Sequence, residues 1–221
     1  LNKKNIINTK PNSKENTTTM YLYGNYIYKK FRPRKINSYK KIINELSKLK
    51  NENIITPLKI INYDSFKIIE KYPYFNNGDL FNYIEKTTMK YSEKKYIFTR
   101  LVRIINDLHN NGYCHRDLKP ENIMITYNEF NYLELKLIDL DYSCKYNCTK
   151  NFNGGSESYA SPELFNYNLK INDWRTVDIW ALGIILYIIF LKEFPWKYAC
   201  SECEFYNKYI TNNNSQLYFK N

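Results

Sequence analysis

Residues 115–122 place acidic, amide and basic side chains at short spacing in one polar segment. Asp117 is followed two residues later by Lys119 and five residues later by Asn122, and Asp139 follows Asn122 by 17 residues. Carboxylate and amide oxygens are the usual ligands of hard divalent cations, and an ammonium group attracts a polyanion. This combination predicts a site for a divalent cation and a polyanion, which indicates phosphate chemistry.

The residues after this segment predict the element that would gather these side chains. Residues 123–125 and 133–137 have the apolar pattern of two strands, and a polar turn around Asn128 would close them into a β-hairpin. The first predicted strand follows Asn122 directly, and the second ends just before Asp139. The ends of one hairpin would therefore collect the polar groups.

Helices are predicted on both sides of this hairpin. One covers residues 79–86, and a longer one begins at a Ser92 cap and ends near residues 110–112. The longest apolar stretch, residues 179–191, contains 13 residues. A membrane-spanning helix needs roughly 18, so this stretch predicts a buried helix and no membrane span.

The N-terminal part of the chain has a different pattern, which predicts a small antiparallel sheet covered by one helix. Ser38 would cap that helix, in which Ile42, Leu46 and Leu49 recur at helical spacing. Five strands are predicted, near residues 6–7, 20–23, 26–31, 54–63 and 66–69.

Composition places the chain among folded proteins. Its 221 residues are 43% apolar and 25% charged, with 6 glycines and 7 prolines, which excludes a disordered or collagen-like chain. Lysine and arginine outnumber the acidic residues by 33 to 22. This surplus would attract nucleic acid, an anionic membrane or an acidic substrate. Because the chain contains no run of five basic residues, we expect the positive charges to form a solvated surface rather than to bind a nucleic-acid partner.

The five cysteines are an odd number in a chain without secretory features, which predicts reduced thiols and a cytoplasmic, intracellular compartment. The spacings of Cys144 and Cys148 and of Cys200 and Cys203 allow a zinc site, but the two pairs lie in separate predicted elements, which favours inert thiols. The chain begins at Leu1 rather than at Met, so we expect a fragment or a processed product.

Residues 115–122 strongly resemble the catalytic loop of the eukaryotic-type serine/threonine protein kinases, which reads H-R-D-x-K-P-E-N. Asp139 resembles the metal-binding aspartate of that family. Residues 155–163 resemble its Ala-Pro-Glu segment, and residues 178–183 resemble the start of its central buried helix. These landmarks follow one another in the family's order along nearly the whole chain.

The resemblance implies a fold and a domain organisation. The expected fold is α+β and two-lobed, with a five-stranded antiparallel N-lobe that carries one helix and a mostly helical C-lobe. One protein kinase domain would cover residues 1–221. It would consist of an N-lobe at 1–69, a hinge at 70–74 and a C-lobe at 75–221 that is incomplete at its C-terminus.

The resemblance also implies roles for the residues of the polar segment. Asp117 would orient the substrate hydroxyl and accept its proton, and Lys119 would neutralise charge on the transferred phosphoryl group. Asn122 and Asp139 would hold Mg²⁺ ions that bridge the phosphates of ATP.

In the N-lobe, the resemblance implies a lysine that binds the α- and β-phosphates of ATP. Strand alternation selects Lys29, with Ile27 on the same face, and the expected helix partner of Lys29 is Glu45. Lys29 and Glu45 could equally be solvated side chains without a role. The residues expected at the adenine are Ile27 and Met124 on its faces and the backbone of Glu70 and Tyr72 at its edge.

Two departures from the family pattern leave alternatives open. Residues 8–16, where a glycine-rich loop is expected, contain no glycine, and the Asp-Phe-Gly segment is replaced by Asp139-Leu140-Asp141. We expect Asp141 to tolerate the unusual backbone angles of the glycine it replaces. The prediction is an ATP-dependent protein kinase with Ser/Thr protein substrates. The alternatives are a pseudokinase scaffold with weak or absent turnover and a kinase of small molecules.

Overall fold

The computed structural model describes residues 6–12, 16–33, 36–149, 154–166 and 170–211. These residues form two compact units, one made of residues 1–78 and 124–141 and the other of residues 79–123 and 142–221. In chain order the elements are β1 (Ile6–Asn12), β2 (Asn16–Tyr23), β3 (Tyr26–Phe31), α1 (Ile36–Ser47), β4 (Lys59–Asn62), β5 (Ile68–Pro73), α2 (Leu80–Lys86), α3 (Tyr91–Asn110), β6 (Tyr113–Cys114), β7 (Ile123–Tyr127), β8 (Leu133–Leu137), β9 (Cys144–Lys145), α4 (Arg175–Leu191) and α5 (Glu204–Thr211).

The first unit contains a five-stranded antiparallel sheet in the order β1-β2-β3-β5-β4. A two-residue turn joins β2 to β3, because Tyr23 pairs with Tyr26. Gly24 in this turn has a φ of +56°, a conformation that glycine adopts without steric cost. The five-stranded sheet with one helix confirms the predicted architecture.

Helix α1 buries one face, which carries Tyr39, Ile43 and Leu46. The Tyr39 ring packs edge-on against the Phe31 ring of β3, with 5.6 Å between the ring centres. The helix begins at Ile36, so Ser38 lies inside its first turn and is not the predicted cap. In the same way α3 begins at Tyr91, which places Ser92 inside that helix.

The hairpin of β7 and β8, apart from Ile123, groups with the first unit. Backbone hydrogen bonds account for this grouping. Leu137 at the end of β8 donates its N–H to the Asn53 carbonyl at 2.7 Å and accepts from the Ile55 N–H at 2.8 Å. Ile125 of β7 donates to the Gly78 carbonyl at 2.9 Å. These backbone hydrogen bonds connect the hairpin to the segment that precedes β4 and to Gly78, the last residue of the 1–78 part of the unit.

The second unit is mostly helical, as predicted. Helix α3 buries Ile97, Leu101, Ile104, Ile105 and Leu108, which recur every three or four residues. This face packs against α4, the predicted apolar helix, which begins at Arg175, earlier than the apolar run. Among the described residues, no helix combines the length and the apolar composition that crossing a bilayer requires.

Candidate active site

The loop at residues 115–122 holds three predicted site residues together in the second unit. The Asp117 carboxylate oxygen Oδ2 accepts a hydrogen bond from Nζ of Lys119 at 2.9 Å and another from Nδ2 of Asn122 at 3.3 Å. The Asn122 amide also donates to the Asp117 backbone carbonyl at 2.8 Å. A short 3₁₀ turn at Pro120–Asn122 bends the chain back, which allows these side chains to meet.

The two carboxylate oxygens of Asp117 differ in their hydrogen bonding. Its Oδ1 atom is buried and has no hydrogen-bond partner among the residues that the structure describes. Asp117 is 7% exposed and lines a small cavity together with Gly155, Ser156 and Tyr159. A buried acceptor without a donor costs free energy, and a hydroxyl group that donated to Oδ1 would remove that cost.

Lys119 connects the loop to the segment that follows Gly154. Its Nζ donates to Oγ of Ser156 at 2.7 Å, in addition to its contact with Asp117. The Lys119 side chain is 16% exposed, so its ammonium is held largely away from solvent. One cation therefore lies between a carboxylate and a hydroxyl group on the wall of the cavity.

Asp178 in the first turn of α4 fixes the backbone of the loop. Its buried carboxylate accepts from the backbone N–H groups of His115 and Arg116, each at 2.8 Å, and lies 2.9 Å from Nε2 of His109. Arg116 has a φ of +65°, which costs free energy in a residue with a side chain. The bonds to Asp178 offset that cost. Asp178 was predicted only as the start of the buried helix, without a role in the loop, although a carboxylate directly before the apolar run at 179–191 was a usable signal.

In the first unit, Lys29 of β3 meets two carboxylates. Its Nζ lies 2.6 Å from Oδ1 of Asp139 and 2.7 Å from Oδ2 of Asp141. Lys30, the neighbouring lysine, instead lies over the ring of Tyr63, 3.2 Å from its centre. Of these two lysines, Lys29 is the one that the structure places beside Asp139, and it is only 7% exposed.

The charges around Lys29 perturb one another. Burial opposes the charge on the Lys29 ammonium, but Asp139, Asp141 and Glu70 together outweigh this effect and raise its pKa above the ordinary value. Burial also raises the pKa of Asp141 to about 8, helped by the negative charges of Asp139 and Glu70 and opposed by Lys29. The cluster thus has more carboxyl groups than one lysine can neutralise, and a proton on Asp141 relieves the excess.

Glu70 contributes to this cluster through its side chain. It pairs with Lys29 across the β3–β5 ladder and is fully buried. Its Oε1 accepts from the Tyr39 hydroxyl at 2.5 Å and its Oε2 from the Tyr72 hydroxyl at 2.8 Å. Burial raises the pKa of Glu70, although Lys29 and both hydroxyls oppose that rise. Sequence reasoning missed this side chain and that of Tyr39.

The position of Glu70 in the sheet departs from its predicted contact with adenine. Strand β5 lies between β3 and β4, and Glu70 pairs with Lys29 on one side and with Ile60 on the other. The backbone N–H and C=O groups of a strand with two neighbours are used by the sheet. Tyr72, which lies closer to the end of β5, pairs with Ile27.

The other residues predicted for the nucleotide also lie in the first unit. Ile27 is half-buried on β3, Met124 is half-buried on β7 and Glu45 is half-buried on α1. The carboxylates that bond to the Lys29 ammonium at hydrogen-bond distance are Asp139 and Asp141. The pairing of Lys29 with Glu45 and the adenine contacts of Ile27, Met124 and Tyr72 stay predictions.

The segment at residues 139–141 corrects one further expectation. The left-handed backbone lies at Asp139, with a φ of +63°, whereas Asp141 belongs to a 3₁₀ turn at Leu140–Tyr142. Asp141, which stands where the family has glycine, therefore needs no left-handed backbone conformation. Its carboxylate, which glycine lacks, bonds to Lys29. The glycine-free stretch at residues 8–16 forms parts of β1 and β2, and its residues 13–15 lie outside the described residues.

Comparison with known protein families matches residues 18–218 to the protein kinase domain. This match covers most of the chain, which therefore belongs to the protein kinase family and has its two-lobed α+β fold. The predicted family and fold are confirmed.

Curated relatives agree with this assignment. Serine/threonine-protein kinase PRR2 of Saccharomyces cerevisiae is 36% identical over 183 residues, which are 78% of this chain and 25% of that protein. Serine/threonine-protein kinase KSP1 of the same yeast is 35% identical over 145 residues, 62% of this chain and 14% of KSP1. Serine/threonine-protein kinase GG21441 of Drosophila erecta is 34% identical over 148 residues, 65% of this chain and 19% of the relative. The chain thus spans a quarter or less of the length of these relatives.

Proposed function

We propose that the chain is an ATP-dependent serine/threonine protein kinase, which transfers the γ-phosphoryl group of ATP to Ser or Thr hydroxyls of proteins. The observation that carries this proposal is the state of the Asp117 carboxylate. Its Oδ2 is held by Lys119 and Asn122, while its buried Oδ1 has no donor among the described residues. A carboxylate held in this way can orient a substrate hydroxyl and accept its proton.

Lys119 supports the same reaction by its charge. As the acceptor oxygen attacks, negative charge has to be stabilised on the transferred group, and an ammonium fixed beside the base supplies this stabilisation. The contact of Lys119 with Ser156 holds the ammonium at the cavity without neutralising it. The names of the relatives, all serine/threonine-protein kinases, support Ser and Thr as the acceptor residues.

ATP bound with a divalent cation would supply the phosphoryl group and part of the charge compensation. We assign Mg²⁺ as the cation and Asn122 and Asp139 as its ligands, because amide and carboxylate oxygens suit a hard cation. Lys29 is assigned to the phosphates, since its buried ammonium is held in the charged state by carboxylates. Ile27 and Met124 remain the residues assigned to the faces of the adenine.

The test is phosphotransfer by the Asp117→Asn variant. With radiolabelled ATP and a generic basic protein as acceptor, we expect the rate to fall by about 10²- to 10⁴-fold, the usual contribution of a general base. Asp107→Asn on the exposed face of α3 is the matched control, because it makes the same chemical change away from the loop. This control is expected to keep the full rate.

Three outcomes would reject the proposal in different ways. Labelling that is unchanged in a folded Asp117→Asn protein would exclude Asp117 as the base. A wild-type protein that binds no nucleotide, measured by equilibrium dialysis with radiolabelled ATP, would favour the scaffold alternative. A labelled small molecule in place of a labelled protein would identify a different acceptor class.

A further inference from the structure

Three cysteines pack together in the second unit, next to the loop at residues 115–122. Cys114 of β6 and Cys144 of β9 lie opposite each other in a two-stranded ladder, and Cys148 packs against the hydrophobic cluster that contains them. The Cys144 thiol donates to the Lys145 carbonyl at 3.1 Å. The neighbouring Cys148 side chain, together with burial, raises the pKa of Cys144. Two thiols separated by three residues in sequence therefore lie in one small cluster.

The backbone holds this thiol pair in place. Cys148 donates its N–H to the Lys145 carbonyl at 3.0 Å, which closes a tight turn between the two cysteines. The Cys148 carbonyl accepts from Nε1 of the buried Trp174 at 2.7 Å. A disulfide needs sulfurs about 2.05 Å apart and Cα atoms within roughly 7 Å. Because this turn keeps both cysteines in one cluster, a disulfide between them requires only a local rearrangement.

The guanidinium of Arg116 lies beside the Cys148 thiol. Its guanidinium nitrogen Nη1 lies 3.9 Å from the Cys148 sulfur, while its Nε donates to the Tyr142 carbonyl at 2.6 Å. A neighbouring guanidinium favours the thiolate, which is the reactive form of cysteine. Cys148 is also half-buried, whereas Cys144 is only 5% exposed. Cys148 thus combines access from solvent with a cationic neighbour.

We propose that Cys148 and Cys144 form an oxidisable dithiol site that takes a hydroperoxide as its substrate. The Cys148 thiolate attacks the terminal peroxide oxygen, the O–O bond breaks, and the alkoxide or hydroxide leaves and takes a proton. The sulfur is oxidised to a sulfenic acid and the hydroperoxide is reduced to an alcohol or water. Cys144 then attacks the Cys148 sulfur, the S–O bond breaks, hydroxide leaves as water and the disulfide forms.

This site is distinct from the proposed phosphotransfer, because neither thiol belongs to that machinery. Peptide mapping of the whole chain provides the direct test. The reduced protein is treated with hydrogen peroxide, remaining thiols are blocked with N-ethylmaleimide, and the digest is analysed by mass spectrometry. We expect a crosslink between Cys144 and Cys148 that dithiothreitol reverses.

Variants make the test specific. In Cys144→Ala the reaction should stop at a sulfenic acid on Cys148, which dimedone traps. Arg116→Gln should slow the first step by up to about tenfold, because it removes the cation that favours the Cys148 thiolate. Cys200→Ser, which disrupts the other closely spaced pair, is the control and should leave the rate unchanged.

The proposal is overturned if the crosslink joins Cys200 to Cys203 or Cys114 to Cys144, or if hydrogen peroxide produces no crosslink. It is also overturned if dimedone labels no Cys148 in Cys144→Ala. Circular dichroism of Arg116→Gln shows whether that variant is folded. If it is not, the mapping and the Cys144→Ala result decide the question.

Discussion

Replacement of Asp178 by asparagine should destabilise the second unit strongly. The carboxylate accepts from the N–H groups of His115 and Arg116 and contacts the ring of His109, all within 2.9 Å. Asparagine keeps one acceptor oxygen and turns an NH₂ group toward at least one of these donors. A hydrogen bond to a charged group contributes about 1.5–3 kcal/mol, and a buried N–H left without an acceptor adds a further penalty. We expect a loss of about 2–4 kcal/mol in the free energy of unfolding.

Urea unfolding followed by tryptophan fluorescence measures this loss in the relevant unit, because Trp174, Trp180 and Trp196 all lie in the second unit. With a slope of roughly 2 kcal/mol per molar urea, the midpoint should fall by about 1–2 M. Asp173→Asn is the matched control. That carboxylate pairs with Arg175 at the surface, where an ion pair contributes about 0–1 kcal/mol. Equal midpoints for Asp178→Asn and the wild type would refute the anchoring role of Asp178.

Two further substitutions test the charge cluster of the first unit. Tyr39→Phe removes a donor to the buried Glu70 carboxyl group and should cost about 1–3 kcal/mol, measured by urea unfolding, whereas Tyr74→Phe at an exposed position should cost nothing measurable. Asp141→Asn should flatten the pH dependence of stability. The folded-state pKa of about 8 lies above the ordinary value of 3.8, so the stability contributed by the Asp141 proton is complete below about pH 4 and is lost as pH rises through 8. If the difference in free energy of unfolding between the wild type and the variant stays constant from about pH 5 to pH 9, this expected loss of stability with rising pH is wrong.

The family, the loop and the order of elements could be predicted because their signals are local. Residues 115–122 carry Asp117, Lys119 and Asn122 within six positions, and a 3₁₀ turn is enough to bring these side chains into contact. The hairpin and the buried helix α4 were likewise predicted from apolar periodicity within single segments. When interacting residues lie this close in the sequence, few backbone conformations are available to the segment that joins them.

The charge cluster around Lys29 could not be predicted in the same way. The position of Glu70 opposite Lys29 depends on the register between β3 and β5, which are separated by a helix and another strand. A shift of one residue would place the Glu70 side chain on the other face of the sheet. The contribution of Asp141 depends on the backbone angles at Asp139, which the residue types do not specify.

Asp178 lies 62 and 63 positions after the two residues whose N–H groups it binds. During synthesis, the whole loop leaves the ribosome well before this carboxylate does, at about 5–20 residues per second. Until α4 has emerged, the strained backbone at Arg116 has no acceptor to hold it. A nascent or truncated chain that ends before Asp178 would therefore carry every residue of the 115–122 motif without the group that gives the motif its shape.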